Sequence, residues 1–74
     1  TKVYPTLATT SIAVSGLMEG NQISIVSITG ETVVSMIASS DVESIQISNL
    51  TAGTYYVLIS EHGQIVARHS FVKK

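Results

Sequence analysis

Thr54-Tyr55-Tyr56-Val57-Leu58-Ile59-Ser60 carries no charge, Gly or Pro, and its residues are aromatic, aliphatic or hydroxyl side chains throughout. In an extended chain successive side chains point to opposite faces, so Tyr55, Val57 and Ile59 share one face and Tyr56 and Leu58 the other. Apolar groups on both faces place this strand centrally in its sheet. Asn49-Leu50-Thr51-Ala52-Gly53 forms a corner before it, and Glu61-His62-Gly63 gives a tight hairpin after it.

Alternation continues outward from this strand. On the C-terminal side, Gln64 to Val72 sets Ile65, Ala67, His69 and Phe71 on one face and Val66, Arg68, Ser70 and Val72 on the other. On the N-terminal side, Val42 to Ser48 turns Ile45 and Ile47 inward, following a polar loop at Ala38-Ser39-Ser40-Asp41. Gln22 to Ile28 and Thr32 to Ile37 flank Thr29-Gly30-Glu31, a hairpin link in which Gly supplies a positive φ without a Cβ clash. Within Gln22 to Ile28 the pattern shifts from Ile23 and Ile25 to Val26 and Ile28, which predicts a bulge or a strand covered on both sides. Thr10 to Ser15 presents Ile12 and Val14 before Gly16 breaks it, and Glu19-Gly20-Asn21 is a turn. Lys2-Val3-Tyr4 adds a short edge segment, with Pro5 suited to an edge because it has no N–H to give a ladder.

These segments predict an all-β, Ig-like antiparallel β-sandwich of about seven short strands. Composition agrees: Val, Ile and Thr account for 26 of the 74 residues, and only 12% are charged. β-Branched side chains are stiff at χ1 and fit a pleated surface better than a helix. The length allows one domain, residues 1–74. At this size only about 60% of the unfolded chain's surface is hidden, so stability is modest. The opening at Thr1, with no Met and no signal peptide, suggests a piece of a longer protein.

Several classes of function are disfavoured. A net charge of −1 gives no basic field for phosphates, so nucleic acid is not an expected partner. No apolar run reaches the roughly 20 residues of a spanning helix, and no direct membrane insertion is expected. Without Cys there is no disulfide, thiol chemistry or Cys-based zinc site. His62 and His69 are seven residues apart, which is not a metal-pair spacing. Asp41, either His and a Ser make a triad only on paper, since no nucleophile elbow is present. No catalytic, metal or cofactor site is therefore assigned. His62 reads as a solvated hairpin tip and His69 as a half-exposed strand residue. Asn49-Leu50-Thr51 matches a glycosylation pattern that is common by chance.

Four segments, in order, resemble the C-terminal sorting domain (type A) of cargo exported by the type IX secretion system of Gram-negative bacteria. Val3-Tyr4-Pro5-Thr6 is similar to the family's opening Tyr-Pro-Asn-Pro, although Thr6-Leu7 stands in place of Asn-Pro. Ile23-Ser24-Ile25 with Thr29-Gly30-Glu31-Thr32-Val33 resembles its strand, turn Gly and apolar strand. Leu50-Thr51-Ala52-Gly53-Thr54-Tyr55 is close to its Leu-x-x-Gly-x-Tyr core, and Phe71-Val72-Lys73-Lys74 resembles its apolar-plus-Lys ending.

The resemblance implies an address label, not an enzyme. Its sorting-motif residues here are Tyr4, Pro5, Gly30, Leu50, Gly53, Tyr55, Phe71, Val72, Lys73 and Lys74. The implied partners are the outer-membrane translocon and its shuttle and sortase-like proteins. The implied route runs through the periplasm to the cell surface or beyond, with removal of the domain by a sortase-like peptidase and surface attachment of the cargo. Arg68, Lys73 and Lys74 are expected to concentrate positive charge beside an exposed terminal edge, and an edge strand at either terminus could pair with a second copy. A different reading of the same sandwich is an Ig- or fibronectin-like structural or adhesive appendage, since one fold serves many roles.

Overall fold

The computed structural model describes all residues, Thr1–Lys74. It contains eight strands and no helix: β1 (Lys2–Tyr4), β2 (Leu7–Ala8), β3 (Ser11–Ser15), β4 (Gln22–Ser27), β5 (Thr32–Ile37), β6 (Val42–Gln46), β7 (Gly53–Glu61) and β8 (Gln64–Lys73). They form two sheets, ordered β1-β3-β6 and β2-β8-β7-β4-β5. The result is an all-β sandwich with one strand more than the seven expected. The whole measures 30 × 22 × 16 Å.

The additional strand is β2. Pro5 follows a cis Tyr4–Pro5 peptide and divides the N-terminal segment in two. β1 pairs antiparallel with β3 in one sheet, and β2 pairs parallel with β8 in the other. Lacking an N–H, Pro5 cannot continue a ladder, and the chain changes sheets there. β1 has only three residues, and β2 covers β8 at Val72 and Lys73 alone, so the terminal strand keeps an edge without a strand partner along Gln64–Ser70 but not at its C-terminal end.

β7 sits between β8 and β4, the central position its two apolar faces require. Tyr55, Val57 and Ile59 enter the core, whereas Tyr56 and Leu58 are half-buried on the outer face. Fourteen buried side chains form the core, including Val3, Ile12, Val14, Ile23, Ile25, Ile45, Ile47 and Phe71. Ile12 and Val14 from β3, and Ile45 from β6 with Ile47 just beyond it, face Ile23, Ile25, Val57 and Ile59 from the other sheet. The shared faces read for these segments hold, and Ile45 and Ile47 point inward as expected.

Two bulges qualify that alternation. The β4–β5 register shifts between Ile25 and Val26, while β4 stays in step with β7 through Val26↔Tyr56. The predicted shift thus lies in the pairing with β5, and Ile28 is left exposed beyond the strand. A second shift between Ile59 and Ser60 pairs Ile59 with Ala67 but Ser60 with Ile65. Ile65 is thereby taken off the face of Ala67, His69 and Phe71 on which the sequence put it, and is 61% exposed. The β7–β8 hairpin turns on His62 and Gly63 with φ of 53° and 80°, the paired left-handed conformation that matches strand twist in two-residue loops.

The β5–β6 loop is held by Glu43. Its Oε2 accepts from the Ser39 backbone N–H at 2.8 Å and from the Ser39 hydroxyl at 3.1 Å. The Ser39 backbone bond, then the Ser39 hydroxyl, hold its carboxyl below the ordinary value, against a small opposing effect of burial. A carboxylate whose native pKa is depressed adds stability that is complete above its unfolded pKa and is lost as pH falls through the native value. Glu43→Gln should therefore lower Tm at about pH 7, and the difference should shrink as pH falls below the ordinary Glu range of about 4.3 and vanish below the depressed native value. Parallel thermal melts across that pH range check this.

Candidate functional site

The motif residues are scattered through the sequence, and strand register gathers them. Gly53 pairs with Lys73, Thr54 with Val72 and Tyr55 with Phe71. Ser27, the last residue of β4, pairs with Tyr55, so the β4–β5 turn containing Gly30 lies at the same end of the five-stranded sheet. The Val72 N–H donates to the Thr6 carbonyl at 2.8 Å and the Lys74 N–H to the Ala8 carbonyl at 2.9 Å. These bonds clamp the C-terminal residues onto the segment that follows Tyr4 and Pro5.

The spacing Leu50-x-x-Gly53-x-Tyr55 has a local physical cause. The Tyr55 hydroxyl donates to the Thr51 carbonyl four residues back, at 2.6 Å. Such a bond ties the incoming loop to the start of the strand, as the tyrosine corner does in immunoglobulin-type sandwiches. The chain must pass from loop to strand within that reach, and it does so at Gly53, the first residue of β7, whose φ is +154°. A Cβ there would meet no atom within 4 Å, so the constraint is backbone conformation and not space. Leu50 packs half-buried against the core, anchoring the loop from the other side.

Tyr55 and Phe71 stack across β7 and β8 with centroids 5.6 Å apart and an interplanar angle of 18°. Phe71 is 1% exposed. Two of the motif aromatics are therefore core, and recognition cannot grip them while the domain is folded. Tyr4 (46%), Val72 (42%) and the exposed Lys74 remain accessible. Gly30 donates its N–H to the Ser27 carbonyl at 2.9 Å with φ +93°, closing the β4–β5 turn.

The basic residues do not share one surface as expected. Lys73 follows Phe71 by two positions on the inward face of β8 and is only 8% exposed, its Nζ donating to the Lys74 carbonyl at 2.9 Å. Its aliphatic stem completes the core at this end, while the ammonium reaches out to the chain terminus. Arg68 lies on the opposite face, its guanidinium 5.1 Å from the Tyr56 ring centroid. Only Lys74 projects freely. The strand reading that stopped at Val72 missed this; continuing its period of two would have put Lys73 beside Phe71. β2 gave no signal, because two residues carry no periodicity.

His69 Nε2 lies 2.7 Å from the Thr1 hydroxyl, and His62 sits at the hairpin tip with its side chain 92% exposed. No pocket indents the surface, and no three His, Asp or Glu side chains converge as metal ligands.

The family described as secretion system C-terminal sorting domain matches residues 2–74. No curated protein and no solved structure matches the chain.

Proposed function

The chain belongs to the family of type IX secretion-system C-terminal sorting domains, and from that membership we propose that one end of the folded sandwich is the signal that the export machinery reads. Members of this family are sorting signals and not enzymes, and they take their cargo to the cell surface or the extracellular space through the type IX machinery.

In this reading residues 1–74 act as one sorting domain. The cargo waits in the periplasm, and the outer-membrane translocon engages the end where Val72 and Lys74 emerge beside Thr6–Ala8. A sortase-like peptidase then removes the domain and the cargo is attached to the surface. Tyr55, Phe71, Leu50, Gly53 and Gly30 serve recognition indirectly, by building and holding that end. Tyr4, Val72 and Lys74 are placed to be touched. The observation that supports this division is the pairing of Gly53–Tyr55 with Phe71–Lys73, which makes motif residues some 20 positions apart in sequence into one structural unit.

Transplantation tests it. Residues 1–74 are fused behind a fluorescent protein carrying a secretory signal peptide and expressed in a type IX-competent cell. Surface fluorescence sensitive to external protease is the expected result. Fluorescence confined to the periplasm, with the domain folded, would overturn the assignment.

A further inference from the structure

β5 is an open edge of the five-stranded sheet, and its residues Thr32-Val33-Val34-Ser35-Met36-Ile37 include no charge, Pro or Gly. Edge strands normally carry a guard against pairing, such as shortness, a charge, a Pro or a covering segment. The other edges of this molecule have one, including Gln64–Ser70 of β8, which β2 leaves open and which carries Arg68. β1 and β2 are three and two residues long, with Pro5 between them. β6 carries Glu43 within the strand. β5 has six residues and none of these guards, apart from its bulge near Val33, and Ile37 is 61% exposed.

We propose that β5 is a homodimerisation edge whose occupant is β5 of a second copy, paired antiparallel about a two-fold axis at Ser35. The register follows from the backbone. Ala38 donates its N–H to the Asn21 carbonyl of the neighbouring β4 segment at 2.8 Å. Ladder groups alternate direction along a strand, so Met36 and Val34 also bond toward β4, and Ile37 and Ser35 direct their N–H and C=O groups outward. Centring the axis on Ser35 sets Ser35 opposite Ser35 of the second copy, with outward groups facing outward groups. It also sets Val34 opposite Met36 of the second copy. Both side chains pack half-buried against the core, so opposed residues share a face, as an antiparallel pair demands.

The regular pairing runs over Val34–Met36 and ends at the bulged Val33, which packs against the core. β5 itself carries no charge, so no like charges are directly opposed within it. A shift of one residue would oppose inward and outward side chains. An isologous contact of this kind closes at two copies, because each molecule has a single β5. The contact is small, in the class below about 1,200 Å² that gives weak association.

Sedimentation of the 74-residue protein from about 10 µM to about 1 mM spans the affinities of such interfaces. The mean mass should rise from 7.8 kDa toward twice that value and no further. Ser35→Lys places two ammonium groups directly opposite each other. It should keep the protein at monomer mass with Tm lowered by at most a few degrees, since Ser35 is exposed and loses only the surface bond its hydroxyl accepts from Gln22 at 3.2 Å. The chain has no native Cys, so single Cys variants report the register. Ser35→Cys should cross-link into a dimer under mild oxidation, because directly opposed residues lie about 5.5 Å apart. Ile37→Cys should cross-link at least about tenfold more slowly, since its counterpart is offset by four residues and out of disulfide reach. A monomer throughout the range, assembly beyond dimers, undiminished association of Ser35→Lys, or equal cross-linking of the two Cys variants would each overturn the proposal. These readouts are mass and cross-linking, so they stand or fall independently of whether the domain directs export.

Discussion

Phe71→Ala should leave the domain largely unfolded at 37 °C and abolish export with it. Removing a fully buried Phe costs about 3–5 kcal/mol through lost transfer energy and the residual cavity. A chain of this length has roughly 4–11 kcal/mol of stability in total, so the loss takes a large share of it. Phe71 is 1% exposed and stacks on Tyr55. β8 also holds β2 in register, so loosening Phe71 loosens the Thr6–Val72 and Ala8–Lys74 bonds next to it. Circular dichroism melts should show the transition lowered by more than about 12 °C, given 4–8 °C per kcal/mol for domains of this size. Tyr55→Phe is the graded comparison. It keeps the stacking and removes only the bond to the Thr51 carbonyl, at a cost of about 1 kcal/mol. A domain that melts normally after Phe71→Ala would mean that the Tyr55–Phe71 stack is not a keystone of the core.

That Tyr55, Val57 and Ile59 share one face, and Ala67, His69 and Phe71 another, was legible because strands impose a period of two on the sequence. Which face of β7 is the core was not, since both are apolar, and the structure chooses that of Tyr55. The same rule gave Ile12, Val14, Ile23, Ile25, Ile45 and Ile47, all of which are buried. It failed where one extra residue breaks the period. The bulge after Ile59 turns Ile65 off the face of Ala67, and nothing in Gln64-Ile65-Val66-Ala67 announces it, since each of those residues fits either face. β2 was illegible for a different reason. Leu7 and Ala8 are strand only because Val72 and Lys73 lie beside them, a contact more than 60 positions away in sequence. For the site, the motif residues could be named from sequence, but which of them are accessible could not. Tyr55 and Phe71 differ from Val72 and Lys74 in the parity of their positions on β7 and β8, and charge alone misplaced Lys73 on the surface.

Lys73 is the residue on which the division between building the signal and being the signal can be tested. The double variant Lys73→Met, Lys74→Gln should fold and yet lose most of its export. Met is unbranched and adaptable, so it can occupy the space of the Lys73 stem beside the core. The ammonium bond to the Lys74 carbonyl is lost, but it lies at the end of the chain. The backbone bonds that anchor this end, Lys74 N–H to Ala8 and Val72 N–H to Thr6, do not depend on either side chain. Tm should therefore fall by much less than after Phe71→Ala, since a swap that keeps volume at a packed position costs under about 1.5 kcal/mol. A charge-assisted contact to a partner is worth about 1.5–3 kcal/mol, so losing even one lowers affinity by about tenfold or more. Surface display of the fused reporter should fall by at least about that factor if the signal is unsaturated. Phe71→Ala lowers Tm and export together, whereas the lysine variant lowers export with the fold intact, and that contrast is what a positively charged recognition end requires. Full display with both charges removed and the fold intact would show that the machinery reads the shape of the sandwich end and not its charge.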